Sequence, residues 1–245
     1  MKLYSENKIY KGDCLKLLSK MPDNFVDVSF TSPPYNDTGS KNENVSNNNG
    51  GNHKKYLHVE RHDDWFEWQC NVIDELLRVT KKIVLYNIQG IKNNRKNLYK
   101  LIGYYNNSIH DIVIWYKPNG MPTSTPHKLS NSYEMLIVLK PKGVKKIDVN
   151  SLFYRNVIVA PTNKDRTYSK IHKAVMSKDF SDEVIKEFTS KNDIVLDPFF
   201  GLGTTGLSCI EQGRRFIGFE ICEEYVKAAN ERLGLQVEDK WSDLD

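Results

Sequence analysis

Apolar residues recur along this chain in short runs of strand length and, between them, at helical spacing, the pattern of an α/β protein. After Ile9 to Cys14, Leu15, Leu17 and Leu18 give a helical pattern, Met21 to Asn24 read as a turn, and Phe25 to Phe30 read as a strand. Trp65 to Val79 has Phe66, Ile73, Leu76 and Leu77 at helical spacing, and Lys81 and Lys82 near its end suit the helix dipole. Ile83 to Tyr86 reads as a short buried strand, and Ile91 to Leu101 as a basic helix whose Lys92, Arg95, Lys96 and Lys100 are read first as a solvated face. Ile109 to Tyr116 and Tyr133 to Lys140 are two further strands, and Asn156 to Val159 is strand-like within a lysine-rich stretch from Lys140 to Lys178. Phe180 to Phe188 is helical, and Ile194 to Leu196 begins a strand, glycine loop, helix, strand and helix that run to Leu233.

Two interruptions stand out. The strand ending at Phe30 runs into Thr31-Ser32-Pro33-Pro34-Tyr35-Asn36, where consecutive prolines forbid a central strand or a helix, so an ordered loop is expected at the strand's carboxyl end. That edge is where open α/β sheets bind ligands. Residues from 37 to about 60 begin with an Asn-, Gly- and Ser-rich stretch lacking apolar periodicity, read as a flexible loop that is either a surface insertion or a lid or DNA-contacting arm. His53, His58 and His62 near its end lack a cysteine partner, and no metal is expected. Trp65 and Trp68, three apart, are assigned to core or cap packing.

With 245 residues, 39% hydrophobic and 27% charged, the chain suits a single α/β domain over 1–245. Its apolar runs fall well short of a bilayer span, and no signal peptide is recognisable at the N-terminus, so a cytoplasmic location away from membranes is expected. Cys14, Cys70, Cys209 and Cys222 are scattered, with no Cys-x-x-Cys pair, and are expected to be reduced and mostly buried. A net charge of +4 permits a nucleic-acid partner without requiring one.

Asp197-Pro198-Phe199-Phe200-Gly201-Leu202-Gly203-Thr204-Thr205 places glycines between a short apolar strand and a helix, where backbone can approach a cofactor closely. The next strand, from Arg215, ends at Glu220, an acid able to accept both hydrogen bonds of a ribose diol. Together they indicate a nucleoside cofactor. Gly206 completes the spacing of a dinucleotide fingerprint, but Asp197-Pro198 and Thr204-Thr205 are unlike that motif, and the lysine of a Walker loop is missing.

The proline loop suits a different task. An exocyclic amino nitrogen on cytosine or adenine is a poor nucleophile, because its lone pair is delocalised into the ring. Oxygen acceptors on its two hydrogens would free that pair for attack on a sulfonium methyl. Ser32 offers a side-chain oxygen, Pro33 a backbone carbonyl and Tyr35 a face on which a flipped base can stack.

Thr31-Ser32-Pro33-Pro34-Tyr35, followed much later by Asp197-Pro198-Phe199-x-Gly201-x-Gly203-Thr204-Thr205, resembles the amino-group DNA methyltransferases of bacterial restriction-modification systems. Catalytic loop first and cofactor loop last is similar to their circularly permuted beta class. Gly12-Asp13, Trp115-x-Lys117-Pro118, Ser132-Tyr133-Glu134 and Gly218-x-Glu220 extend the resemblance over nearly the whole chain. It implies a Rossmann-like fold with a mainly parallel twisted sheet, one reversed strand near an edge and helices on both faces. It also implies S-adenosylmethionine as cofactor, double-stranded DNA as partner, a cognate restriction endonuclease and homodimer formation. Ser32, Pro33, Pro34 and Tyr35 would form the catalytic loop. Thr31, Asp197, Pro198, Phe199, Gly201, Gly203, Thr204, Thr205 and Glu220 would line the cofactor pocket, Glu220 on the ribose, and Asp13 would contact the adenine. Residues 117–178 would be the target-recognition and connecting region, with His127, Lys128 and Ser130 as DNA contacts; Lys164 and Arg166, with Lys170 and Lys173, are read from their charge either as phosphate contacts or as an ordinary solvated basic surface. Ser-Pro-Pro-Tyr is typical of members acting on cytosine N4, and Asp in place of the serine of those acting on adenine N6, so cytosine is favoured and adenine is the alternative. An RNA or protein methyltransferase, or an inert DNA-binding relative, would share the cofactor fold. The inert relative is expected to lack Ser32, Tyr35 or the glycines, and all are present.

Overall fold

The structure is a computed structural model that describes residues 4–35, 64–91, 94–120, 129, 131–152, 154–163, 166–169, 171 and 175–235. Eight strands form one sheet: β1 (Lys8–Lys11), β2 (Val26–Thr31), β3 (Thr80–Ile88), β4 (Ile109–Tyr116), β5 (Tyr133–Leu139), β6 (Val157–Val159), β7 (Ile194–Asp197) and β8 (Arg215–Glu220). Their spatial order is β1-β8-β7-β2-β3-β5-β4-β6. Every neighbouring pair is parallel except β3 with β5 and β5 with β4, so β5 alone runs backwards. Third from one end of the sheet, it fulfils the expectation of a reversed strand near an edge.

Successive residues of the central strands feed opposite cores, as the two-residue period of a strand buried on both faces requires. Val84, Tyr86, Ile88, Ile137, Leu139, Leu196, Ile217 and Phe219 face one cluster, and Leu85, Leu136, Val138, Val195 and Phe216 face the other. The first is closed by α1 (Cys14–Ser19), α2 (Trp65–Val79) and α3 (Arg95–Tyr104), through Leu17, Leu18, Trp65, Ile73 and Leu98. The second is closed by α5 (Lys178–Phe188), α6 (Thr204–Glu211) and α7 (Glu223–Leu233), through Phe180, Val184, Cys209 and Val226. A four-residue helix, α4 (Arg166–Ser169), lies between β6 and α5.

Side chains start several of these helices. Asp13 accepts the Lys16 backbone N–H at 3.0 Å, and Asp64 accepts that of Glu67 at 3.2 Å, each cap worth about 1 kcal/mol. The basic helix begins at Arg95 and not at Ile91 because Asn94 organises a turn before it: its Oδ1 accepts the Ile91 N–H and its amide donates to the Gln89 carbonyl. The second strand lasts one residue longer than its apolar run, through Thr31, and β3 extends from Thr80 to Ile88, well beyond Ile83–Tyr86. Polar residues sustain both: Ser29 and Thr80 share a buried 2.6 Å hydrogen bond. Cys14, Cys209 and Cys222 are buried and Cys70 half-buried, all four as free thiols. Among the described residues no helix is long and apolar enough to cross a membrane.

Candidate active site

The parallel strands deliver their carboxyl ends to one edge of the sheet. There β2 releases Thr31 to Tyr35, β7 releases Asp197 and the glycine loop, and β8 ends at Glu220. Antiparallel β5 brings its first residues, Tyr133 and Glu134, to the same edge, beside the end of β3.

Asp197 ties the two principal loops together. Its carboxylate accepts the Thr31 hydroxyl at 2.7 Å, the Phe199 N–H at 3.1 Å and the Thr205 hydroxyl at 2.7 Å. Burial pushes its carboxyl up to about 6, against the lowering effect of these three donors. The side chains of Thr31, Asp197 and Thr205 are thus occupied with one another, and the Thr204 hydroxyl accepts from Arg232 at 3.0 Å. These four residues build the loop's frame with their side chains, which leaves backbone and neighbouring groups to face a ligand.

Gly201 and Gly203 both have left-handed φ, 51° and 76°, so the loop turns sharply into α6. A second reason for glycine is packing. A Cβ at Gly218 would stand 2.5 Å from the Phe200 ring, one at Gly206 2.6 Å and one at Gly203 3.0 Å. Three glycines therefore cradle the buried Phe200, which also stacks on Phe216 with centroids 5.1 Å apart. Phe199 points the other way, half-buried, with its ring 5.5 Å from Trp68.

Glu220 is held at the tip of β8 by backbone: its carboxylate accepts the Gly201 N–H and the Cys222 N–H, both at 2.8 Å. Burial pushes its carboxyl up to about 7, which those N–H groups partly counter. Asp13 follows β1, next to Gly12, whose N–H donates to the Glu220 carbonyl at 3.0 Å. An acid pinned beside a tight glycine turn, an aromatic ring and the Asp13 turn form a set of groups that fits a nucleoside with a diol, the carboxylate accepting from its hydroxyls.

The proline loop is clamped from α2. Trp65 Nε1 at 3.2 Å and Gln69 Nε2 at 3.1 Å both donate to the Pro34 carbonyl, and the Tyr86 hydroxyl donates to Gln69 Oε1, fixing which way that buried amide faces. The two tryptophans are core residues as expected, and Trp65 also positions the loop. The Pro33 carbonyl accepts no hydrogen bond among the described residues, whereas the Pro34 carbonyl is fully engaged. Pro198 lies in the turn leaving β7.

Ser32 and Tyr35 meet at 2.8 Å between their hydroxyl oxygens. Around them is a group of polar side chains that periodicity did not reveal. Tyr35 donates to Glu134 Oε2 at 2.7 Å, Asn87 Nδ2 donates to the same oxygen at 2.6 Å and to Tyr35 at 3.1 Å, and Lys117 donates to Glu134 Oε1 at 3.0 Å. Burial, and then the Glu134 charge, push the Tyr35 hydroxyl well above its usual range, so it stays protonated and donates. The Tyr35 hydroxyl is therefore engaged in this cluster through both Ser32 and Glu134. Asn87 sits at the end of β3 inside an otherwise apolar run, and its Oδ1 is buried with no partner among the described residues. Lys117 and Glu134 belong to motifs visible in the sequence, but only the pairing of β4 with β5 brings them together.

His127, Lys128, Ser130 and Lys164, the histidines of the Asn-rich loop and that loop itself lie outside the described residues, as does the side chain of Arg166, which opens α4.

Known proteins resemble this chain in sequence and fold. The family model for N6_N4_Mtase, a DNA methylase, matches residues 26–231. The type II methyltransferase M.BglII of Bacillus subtilis is 25% identical over 276 aligned positions, spanning 93% of this chain and 69% of its own. M.HinfI of Haemophilus influenzae, also a type II methyltransferase, is 26% identical over 254, spanning 93% and 68%. Among solved structures, PvuII DNA methyltransferase (cytosine-N4-specific) superposes with a TM-score of 0.71 at 17% identity, covering 96% of this chain and 88% of that one. M1.HpyAVI in complex with S-adenosylmethionine superposes with a TM-score of 0.62 at 25% identity, covering 93% and 99%. With the family model spanning most of its length, the chain belongs to the N6/N4 DNA methylases, the S-adenosylmethionine-dependent amino-group methyltransferases of restriction-modification systems.

Proposed function

We propose that this enzyme methylates the N4 amino group of a cytosine flipped out of double-stranded DNA, as the modification partner of a restriction endonuclease. The observation that carries this reading is the Ser32 hydroxyl at the end of β2, on a loop tied through Thr31 and Asp197 to the glycine turn. Ser32 Oγ and the Pro33 carbonyl each accept one amino hydrogen, drawing the nitrogen toward a tetrahedral shape and directing its lone pair. Tyr35 supports the flipped base and holds the Ser32 hydroxyl. S-adenosylmethionine, when bound, supplies an electrophilic methyl on sulfur, held by Glu220 at the ribose and by the backbone of Gly201 and Gly203. The alternative, adenine N6, uses the same acceptors and differs in the size of the base. Residues 117–178 would recognise the target, and two copies of the chain would pair as a homodimer.

The test is nucleoside mass spectrometry on unmethylated duplex DNA incubated with the enzyme and S-adenosylmethionine. N4-methylcytosine is the expected product. N6-methyladenine would keep the loop chemistry and overturn the base, and neither product on DNA of broad sequence content would overturn the reading.

The acid at the ribose gives a separate expectation. A protonated Glu220 has lost an acceptor for the diol, so cofactor affinity should fall as pH drops through about 7, by up to about tenfold per unit below that value. Calorimetric titration with S-adenosylmethionine across this range reads it. Glu220→Gln should bind more weakly at alkaline pH and show a flat profile; a wild-type affinity independent of pH would remove Glu220 from the ribose.

A further inference from the structure

The hydrogen bonds around Ser32 have only one consistent direction, and Lys117 sets it. An ammonium only donates and an ionised carboxylate only accepts, so Lys117 donates to Glu134 Oε1 at 3.0 Å. Both are nearly enclosed, 8% and 9% exposed, and they form an ion pair. Glu134 Oε2 then accepts the one proton of Tyr35 at 2.7 Å. With that proton committed, the Tyr35 oxygen can only accept, and it takes the Ser32 proton at 2.8 Å. Asn87, whose amide donates at 2.6 Å to Glu134, at 3.1 Å to Tyr35 and at a longer 3.4 Å to Ser32 Oγ, enforces the same direction. Ser32 has no second proton, so what remains on its oxygen is lone pairs.

This bears on the reaction because the amino group of a base presents two N–H donors. A freely rotating serine would meet them with its own O–H in some of its rotamers, and that contact repels. We propose that Glu134, anchored by Lys117, is a positioning residue that fixes Ser32 as a hydrogen-bond acceptor for the target amino group. The proposal rests on the amino-group reading given above. It assigns a task to three side chains, Asn87, Lys117 and Glu134, none of which has to touch the base.

The experiment measures single-turnover methylation of duplex DNA by the full chain, read by nucleoside mass spectrometry, together with cofactor affinity by calorimetry. In Glu134→Gln, Lys117 claims the amide oxygen and turns the amide N–H toward Tyr35, and Asn87, whose own N–H now meets that N–H, gives up its 2.6 Å contact. Tyr35 then donates to Ser32, and Ser32 presents its proton to the base. The turnover rate should fall about 30-fold with cofactor affinity and the KM for DNA within about twofold. Adding Lys117→Met frees the substituted amide to flip, so the double variant should recover to within about fivefold of wild type. A role limited to holding the fold predicts a double variant no better than Glu134→Gln. Absence of recovery, or a Glu134→Gln rate within twofold of wild type, overturns the proposal. Should Glu134→Gln fail to fold by circular dichroism, Tyr35→Phe decides, because it leaves the ion pair intact. A loss of about tenfold supports the directed chain, and an unchanged rate overturns it. A wild-type enzyme that methylates neither base defeats the underlying reading, whereas an active wild type with an indifferent Glu134→Gln defeats only the positioning role.

Discussion

Ser32→Ala is expected to lower turnover by about a hundred- to a thousandfold while S-adenosylmethionine binds within about twofold of wild type. The separation follows from where the side chain sits. Ser32 Oγ bonds toward Tyr35 and Asn87, on the β3–β5 side of the loop, whereas the proposed cofactor frame is built by Asp197, the glycine turn and Glu220. Removing one of two acceptors on the amino hydrogens withdraws stabilisation that develops only as the nitrogen becomes tetrahedral, so the loss falls on turnover and spares binding. Tyr35→Ala should have an effect of similar size, since it deletes both the ring proposed to support the base and the acceptor for the Ser32 proton. The two losses should not add, because both act through one hydroxyl contact at 2.8 Å. Rapid-quench single turnovers with cofactor in excess, paired with calorimetry, separate the two quantities. Unchanged turnover in both variants would remove the Ser-Pro-Pro-Tyr loop from the chemistry.

The loops that meet at this edge were legible for a physical reason: proline and glycine leave marks in a sequence that depend on backbone geometry alone. Two prolines ended β2 on paper as they do in space, and Gly201 and Gly203 marked a turn whose φ angles are indeed left-handed. The apolar runs located the strands because a sheet covered on both faces needs unbroken apolar sequence. The same rule hid Asn87, a polar residue near the end of the apolar run that begins at Ile83, whose value appears only when β5 pairs beside it. Lys117 and Glu134 lie 17 positions apart and meet through strand register, which no local pattern encodes. Glycines also carried two messages at once. Gly206 and Gly218 sit near the cofactor loop, yet their small size is explained first by the Phe200 ring packed against them. The Asn94 turn shows the limit in the other direction: Ile91 fits the helical period, but a side chain bonding back to the backbone delays the helix by four residues.

Asp197 should divide stability from charge. Asp197→Ala leaves the Thr31 and Thr205 hydroxyls and the Phe199 N–H without their acceptor, and both threonines are buried. Each unmet donor costs about 1–3 kcal/mol, so a loss of about 3–5 kcal/mol is expected near pH 5, together with at least tenfold weaker cofactor binding as the glycine loop comes away from β2. Asp197→Asn should stay within about 1 kcal/mol of wild type near neutral pH. The amide oxygen can keep Thr31 and Phe199, and the Thr205 hydroxyl can rotate to accept from the new N–H. The pair also tests the raised acidity constant. Because burial lifts the Asp197 carboxyl to about 6, the folded state holds a proton that the unfolded chain releases near 4. Wild-type stability should therefore decline as pH rises from about 4 to about 6, by a contribution on the order of 3 kcal/mol, and be insensitive to this group above that window. Glu220 adds a similar slope reaching about 7, so the quantity to read is the difference between wild type and Asp197→Asn in urea unfolding at each pH. A difference that grows in favour of wild type toward acid is expected. A constant difference would mean that Asp197 titrates alike in the folded and unfolded chains, and that the carboxylate tying the catalytic strand to the cofactor loop pays no penalty for its burial.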